Sequence, residues 1–288
     1  MSEGGEPVAA SYSTEEPRLR VSLLGGFRLE SAGIAVVLPE GSQRLIAFLA
    51  LKGRVMQRQA VAGTLWPDAT DSQGSSSLRS ALTRLRGRAR GSLTATVRDL
   101  GLSEDVKVDL WEARELAHHL LDPTGASSSD GPGREAISAL SADLLPDSYD
   151  DWAIFEAEDW RQLRLHALEV LADRFRARKD FGDAAAAALA AIRAEPLRES
   201  PRVALIRVHI EEGNPTEALR EFARYRELLM LELGVEPTER LRALVADLWP
   251  SRRRDGLPAS WGHAQHDGDS TSDDPDLVRG KIAAPVPG

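Results

Sequence analysis

Between Arg44 and Arg98 lies a set of side chains suited to holding a polyanion: Arg44, Arg58, Ser76, Arg79, Ser80, Thr83, Arg84, Arg86, Arg88 and Arg98. Guanidinium groups pair with phosphate oxygens and fork onto guanine edges, and hydroxyls donate to either. Seven of the ten fall within Ser72–Arg90, a stretch without a single carboxylate. Its apolar residues are Leu78, Ala81, Leu82 and Leu85, a spacing of three and four that predicts one buried face of a helix. Ser76, Ser80, Thr83 and Arg84 then point away from that face, with Arg79 and Arg86 on the flank. A helix buried on one side and cationic on the other suits a DNA major groove. The same pattern also describes a surface helix ending in a solvated arginine run, so the rest of the chain must decide.

Other chemistry finds little support. The chain has no cysteine, which removes disulfides, thiolate catalysis and cysteine-ligated zinc. There is no GxxxxGK[ST] loop, no GxGxxG after a strand and no HExxH. His118 and His119 are adjacent, so a helix would send them to different sides. Asp269, Thr271 and Asp273 imitate the start of a calcium loop, but Asp274 stands where the loop needs glycine. No catalytic residue, metal site or cofactor is expected, and the protein is not expected to be an enzyme.

The chain of 288 residues has room for two domains. Its formal charge of −9 conceals an asymmetry: Arg18 to Arg98 holds thirteen Arg or Lys against four acids, a net +9, leaving −18 for the remainder. That division predicts a nucleic-acid-facing half and a separate acidic half. No apolar run is long enough to span a membrane, and residues 1–17 lack the apolar core of a signal peptide. A cytoplasmic, nucleoid-associated location is expected.

The elements that must position the cationic face follow from pattern and punctuation. Arg18–Leu24, Phe27–Glu30 and Ile34–Leu38 read as an antiparallel meander, turning at Gly25-Gly26 and Ala32-Gly33. A first helix is predicted over Gln43–Leu51 with Ser42 as its cap. A second covers Arg58–Leu65 and is stopped by Trp66-Pro67. Asp71 or Ser72 is the expected cap of the third. Leu93–Leu100 and Leu102–Leu110, joined at Gly101, read as a hairpin. This order is that of a winged helix with an added N-terminal sheet: the second and third helices form the helix-turn-helix and the hairpin is the wing, near whose tip Arg98 lies.

From Trp111 onward the pattern is helical: Trp111–Leu121, Arg134–Leu145, Asp150–Lys179, Phe181–Ala194, Ser200–Glu212, Pro215–Leu233 and Thr238–Leu248. The Pro/Gly/Ser-rich stretch Asp122–Gly133 separates the first two. Glycine turns, small alanine positions and Glu-Pro stops at 195–196 and 236–237 punctuate the later helices as in tetratricopeptide-type hairpins. The predicted division is a disordered 1–17, a winged-helix domain 18–110, a helical domain 111–250 and a disordered tail 251–288.

The chain resembles the small antibiotic-regulatory activators of actinobacteria, the SARP type. The stretches that carry the likeness are LLGGFRL (23–29), QRLIAFLAL (43–51), LWPDA (65–69), SSLRSALTRLR (76–86), DDWAIFEAEDWRQLRLHALEVLA (150–172), AEPLRES (194–200) and HIEEGNPTEALREFARYRELLMLELGVEPTERL (209–241). The resemblance implies a mainly α fold with a small β part: an OmpR-like winged helix-turn-helix, a two-component-like output domain, followed by an all-α TPR-like bacterial transcriptional activation domain. It further implies binding to direct repeats near promoters, a homodimer on DNA, and recruitment of RNA polymerase holoenzyme to secondary-metabolite genes. A different class of function is a signal-responsive scaffold, whose helical domain binds a protein or small-molecule effector. Sequence-selective, salt-sensitive DNA binding separates the two.

Overall fold

The computed structural model describes residues 19–122 and 133–248. The expected disordered ends and nearly all of the Asp122–Gly133 linker lie outside the described residues. An N-terminal region of two small sheets and three helices leads into an all-α region.

The first sheet holds β1 (Leu19–Ser22), β2 (Arg28–Ser31) and β3 (Ile34–Ala35) in an antiparallel meander, as the alternation predicts. β2 and β3 are joined through Ala32 and Gly33, both at positive φ, the geometry of a tight hairpin turn. Three helices follow: α1 (Glu40–Lys52), α2 (Arg58–Leu65) and α3 (Asp71–Arg84). α1 starts one turn before the predicted residue, after Pro39. Ser42 is not its cap. It lies within the helix, buried, and its hydroxyl donates to the Ala81 carbonyl at 2.9 Å, pinning α1 to α3. The cap of α3 is Thr70, not Asp71 or Ser72. Its side chain accepts from the Gln73 N–H while the Gln73 side chain accepts from the Thr70 N–H, a reciprocal capping box.

The predicted hairpin is the part the structure redraws. β5 (Leu93–Ala95) and β6 (Asp99–Leu102) pair antiparallel, and β4 (Met56–Gln57) adds to the other side of β6. The turn lies at Thr96–Arg98, where the Thr96 hydroxyl accepts from the N–H groups of Arg98 and Asp99. Gly101 is inside β6, opposite Thr94. A Cβ there would meet the Val55 side chain at 3.1 Å, so the glycine serves close approach rather than a turn. β7 (Val106–Val108) leaves the hairpin and joins the first sheet, parallel to β1, in the order β3-β2-β1-β7.

The α region comprises α4 (Asp109–Leu121), α5 (Arg134–Ser141), α6 (Asp151–Ala177), α7 (Phe181–Ala194), α8 (Glu199–Glu211), α9 (Pro215–Leu233) and α10 (Glu239–Ala246). From α6 to α9 each helix packs on the next. The buried alanines of α7 (Ala184, Ala187, Ala188, Ala190, Ala191) let its neighbours come close. One apolar core runs from β1 through α1 and α4 into α8, and a second joins α8, α9 and α10 around Ile206, Phe222, Tyr225 and Leu241.

The two regions are bolted together around α1 and the start of α6. Phe48 and Trp152 meet edge to face at 5.4 Å, an arrangement that adds about 1 kcal/mol to their burial. The Trp111 indole donates to the Ala50 carbonyl at 2.8 Å. Glu156 accepts from Lys52 at 3.1 Å and from Arg114 at 2.9 Å. Asp109, at the start of α4, accepts from the N–H groups of Leu23 and Leu24 at the end of β1. The elements that carry the cationic residues are thus tied to the helical region through α1 and β1.

Candidate nucleic-acid interface

α3 presents two faces. Gly74, Leu78, Ala81 and Leu85, its C-cap, are buried, while Ser72, Ser75, Ser76, Arg79, Ser80, Thr83 and Arg84 are exposed. The exposed positions recur at three and four, so their side chains form one continuous strip. Thr83 donates its hydroxyl to the Arg79 carbonyl at 2.8 Å, one turn back. Its oxygen keeps acceptor capacity but its proton is committed. Ser72 and Ser75 belong to the strip although they are absent from the residues singled out by sequence. The same periodicity, continued one turn toward the N-terminus, finds them.

The helix is shorter than Ser72–Arg90. Leu85 turns into extended backbone, Gly87 takes a φ of +56°, and residues Gly87–Ser92 form a 3-10 helix anchored by the buried Ala89. Arg86 and Arg88 therefore do not continue the α3 face. They project from the connection that follows it, both exposed, together with Arg90. The glycine at 87 is the sequence signal for this break.

At the wing, Val97 is 93% exposed and Arg98 is exposed beside it. Arg58, the first residue of α2, is half-buried. Its backbone N–H donates to the Arg98 carbonyl at 2.8 Å and its Nε donates to the Thr96 carbonyl at 3.0 Å. It braces the wing turn against the helix-turn-helix. Arg44 lies elsewhere: its guanidinium is held by Asp150, with Nε at 3.0 Å from the carboxylate, and by the Leu65 carbonyl at 3.0 Å. It ties the end of α2 to the start of α6. Arg54, just past the left-handed Gly53 that ends α1, is exposed. It adds an exposed cation just before β4, the strand that pairs with β6, in a stretch that reads in the sequence merely as a link.

Pairing separates this surface from the rest. Among the described residues, Arg54, Arg79, Arg84, Arg86, Arg88, Arg90 and Arg98 have no carboxylate and no side-chain hydrogen-bond partner. In the helical region most arginines are engaged: Arg161 with Glu158 and Glu195, Arg176 with Asp173 and Glu211, Arg198 with Glu169, Arg202 with Glu221, Arg226 with Glu236. Leaving seven guanidinium groups unpaired on neighbouring elements maintains a positive field that attracts anions. His118 and His119 are exposed in the last turn of α4, and among the described residues no three potential metal ligands cluster. The Asp269–Asp274 stretch lies outside the described residues.

Comparison with known proteins gives likenesses to a family, a curated protein and a solved structure. Residues 108–248 match the family described as "Bacterial transcriptional activator domain". The chain is 27% identical over 266 residues to the regulatory protein AfsR of Streptomyces coelicolor, covering 84% of this chain and 25% of that protein. It thus spans about a quarter of the length of this curated relative. Its fold is shared, at a TM-score of 0.58 and 22% identity, with Mycobacterium tuberculosis EmbR, solved in complex with a low-affinity phosphopeptide. The likeness covers 81% of this chain and 65% of that one.

Proposed function

We propose that the chain, whose residues 108–248 match the bacterial transcriptional activator domain, is a sequence-specific DNA-binding regulator acting on biosynthetic promoters. The observation that carries the reading is the exposed strip of α3, with hydroxyls and unpaired arginines and no acid from Ser72 to Arg90. α3 enters the major groove. Ser72, Ser76, Arg79, Ser80, Thr83 and Arg84 face base edges and the flanking phosphates. Arg86, Arg88 and Arg90 hold the backbone beyond the end of the helix, and Arg98 reaches it from the wing.

The finer reading is an activator. It binds direct repeats as a homodimer on DNA, and its acidic helical region recruits RNA polymerase holoenzyme to secondary-metabolite genes. Direct repeats place two copies in the same orientation along the groove, so successive α3 helices meet the same DNA face one or more turns apart.

A gel-shift titration with the protein's own upstream region tests the reading. The expected result is a sequence-selective shift that weakens steeply with salt. A shift that competitor DNA of random sequence removes equally well would overturn it, leaving the helical region to act as a scaffold. Footprinting then distinguishes direct from inverted repeats.

A further inference from the structure

A cleft of about 530 Å³ opens where α1, the β1–β2 turn and the residues leading into α6 converge. Its volume falls in the range of small-molecule sites, about 300–1,000 Å³. Three of its walls are aromatic: Phe27 is half-buried, Trp152 is 9% exposed, and Tyr149 stands 88% exposed at the mouth. Two of its carboxylates, Glu40 and Asp147, are exposed and have no ion-pair partner among the described residues. A third, Asp150, is neutralised by Arg44 in the same wall. The indole nitrogen of Trp152 is buried without a hydrogen-bond acceptor.

Charge decides which ligand suits this cleft. Three carboxylates against one guanidinium leave two negative charges. Glu40 is the first residue of α1 and Asp150 immediately precedes α6, so the N-terminal ends of two helices also line the cleft. Each contributes roughly half a positive charge. The balance stays negative by about one unit. A negative site walled by aromatic faces attracts an ammonium group with an apolar body.

We propose that this cleft is a binding site for a small organic cation. The site also has a mechanical consequence. Arg44, in its wall, holds both Asp150 at the head of α6 and the Leu65 carbonyl at the end of α2. Residues 66–70 then lead directly into α3. A cation drawn to Asp147, Glu40 and Asp150 competes with Arg44 for its carboxylate. Occupancy is thereby coupled to the strut that positions the helix-turn-helix, and to DNA affinity.

Isothermal titration of the full chain, without DNA, with benzyltrimethylammonium chloride tests the site independently of the DNA-binding reading. Sodium benzoate and benzyl alcohol serve as anionic and neutral comparators. Saturable binding of the cation alone is expected. It should weaken about tenfold or more in Glu40→Gln/Asp147→Asn and several-fold in Tyr149→Ala, with unchanged circular dichroism. All three substitutions lie on exposed side chains, so the fold survives them. No saturable heat with the cation, equal binding of benzoate, or indifference to Glu40→Gln/Asp147→Asn would each overturn the proposal.

Discussion

The arginines of this chain divide by what their guanidinium groups already hold. Arg79 and Arg84 hold nothing among the described residues and stand on the exposed strip of α3. Arg58 spends its Nε on the wing turn. The distinction predicts different behaviour in salt. Removing one phosphate-binding side chain lowers the slope of log affinity against log salt by about one unit. Arg79→Ala or Arg84→Ala should weaken promoter binding and, where the residue holds phosphate, reduce that slope by about one. Removing a base-reading side chain instead costs about 1–3 kcal/mol and relaxes selection at one base pair. Arg58→Gln should weaken binding with the slope unchanged, because it frees the wing without removing a phosphate ligand. Thr96→Val should have the same effect, since the Thr96 hydroxyl accepts from two N–H groups of the same turn. Fluorescence anisotropy on a labelled promoter fragment, between about 50 and 200 mM salt, checks both. A slope that falls by one unit in Arg58→Gln would assign Arg58 to phosphate instead.

At the scale of elements, α3 carries an internal device that its function does not use. Gly74 closes its first turn, facing α2. A Cβ there would lie 3.6 Å from the Ala62 carbonyl and 3.8 Å from the Ala62 side chain, ordinary contact distances. Interior glycine costs about 1 kcal/mol relative to alanine. Gly74→Ala should therefore raise stability by about 0.5–1 kcal/mol and leave DNA affinity unchanged, because the substitution is on the buried face. Thr70→Ala should cost about 1 kcal/mol by opening the capping box. Urea denaturation of both variants reads these effects, and a destabilised Gly74→Ala would mean that α2 and α3 pack with no room to give. How legible such elements are depends on where their determinants lie. α2, α7 and α9 begin and end at the predicted residues, helped by local punctuation at Pro67, Pro196, Gly213, Pro215 and Gly234. The wing turn is misplaced because glycine is the loudest turn signal in its run, whereas the turn is made by a threonine hydroxyl and the glycine by the nearness of Val55. The exposed strip of α3 is legible from periodicity, but its end is set by Leu85 and Gly87 rather than by the charge run. The partners of Arg44 and Trp152 could not be read from pattern: Asp150 and Phe48 lie about a hundred residues away in sequence.

For the whole molecule, the issue is what holds the platform under α3 in place. The core that begins at β1 continues into α8, and β7 and Asp109 close the first sheet from the helical side. A fragment ending at Leu110 would expose the Phe48 face of α1 and lack Trp152 and Glu156. It should unfold at lower denaturant concentration than the full chain. Acid offers a finer probe of the same junction. Burial pushes the Glu156 carboxyl upward, but the hydrogen bonds and charges of Arg114 and Lys52 outweigh it. They hold the carboxyl below the ordinary glutamate value of 4.5. A group depressed in the folded state contributes stability that is present above its unfolded value and disappears as pH falls through its folded value. The junction should therefore weaken as pH drops below about 4.5. Glu158 is pulled further, to about 2, by Arg161 and Gln162, yet it lies in solvent, where screening leaves such a pair little worth. Asp109 acts in the opposite sense. Burial raises its carboxyl above 3.8 despite the N–H groups of Leu23, Leu24 and Leu110, so it takes up a proton first in the folded chain and offsets part of the weakening. Subtracting the stability curve of Glu156→Gln from that of the natural chain, between pH 7 and pH 3 by urea denaturation, cancels Asp109 and isolates the junction. The difference should be constant at neutral pH and shrink in the acid range. A difference independent of pH would place the strength of the junction in Phe48 and Trp152 rather than in its charges.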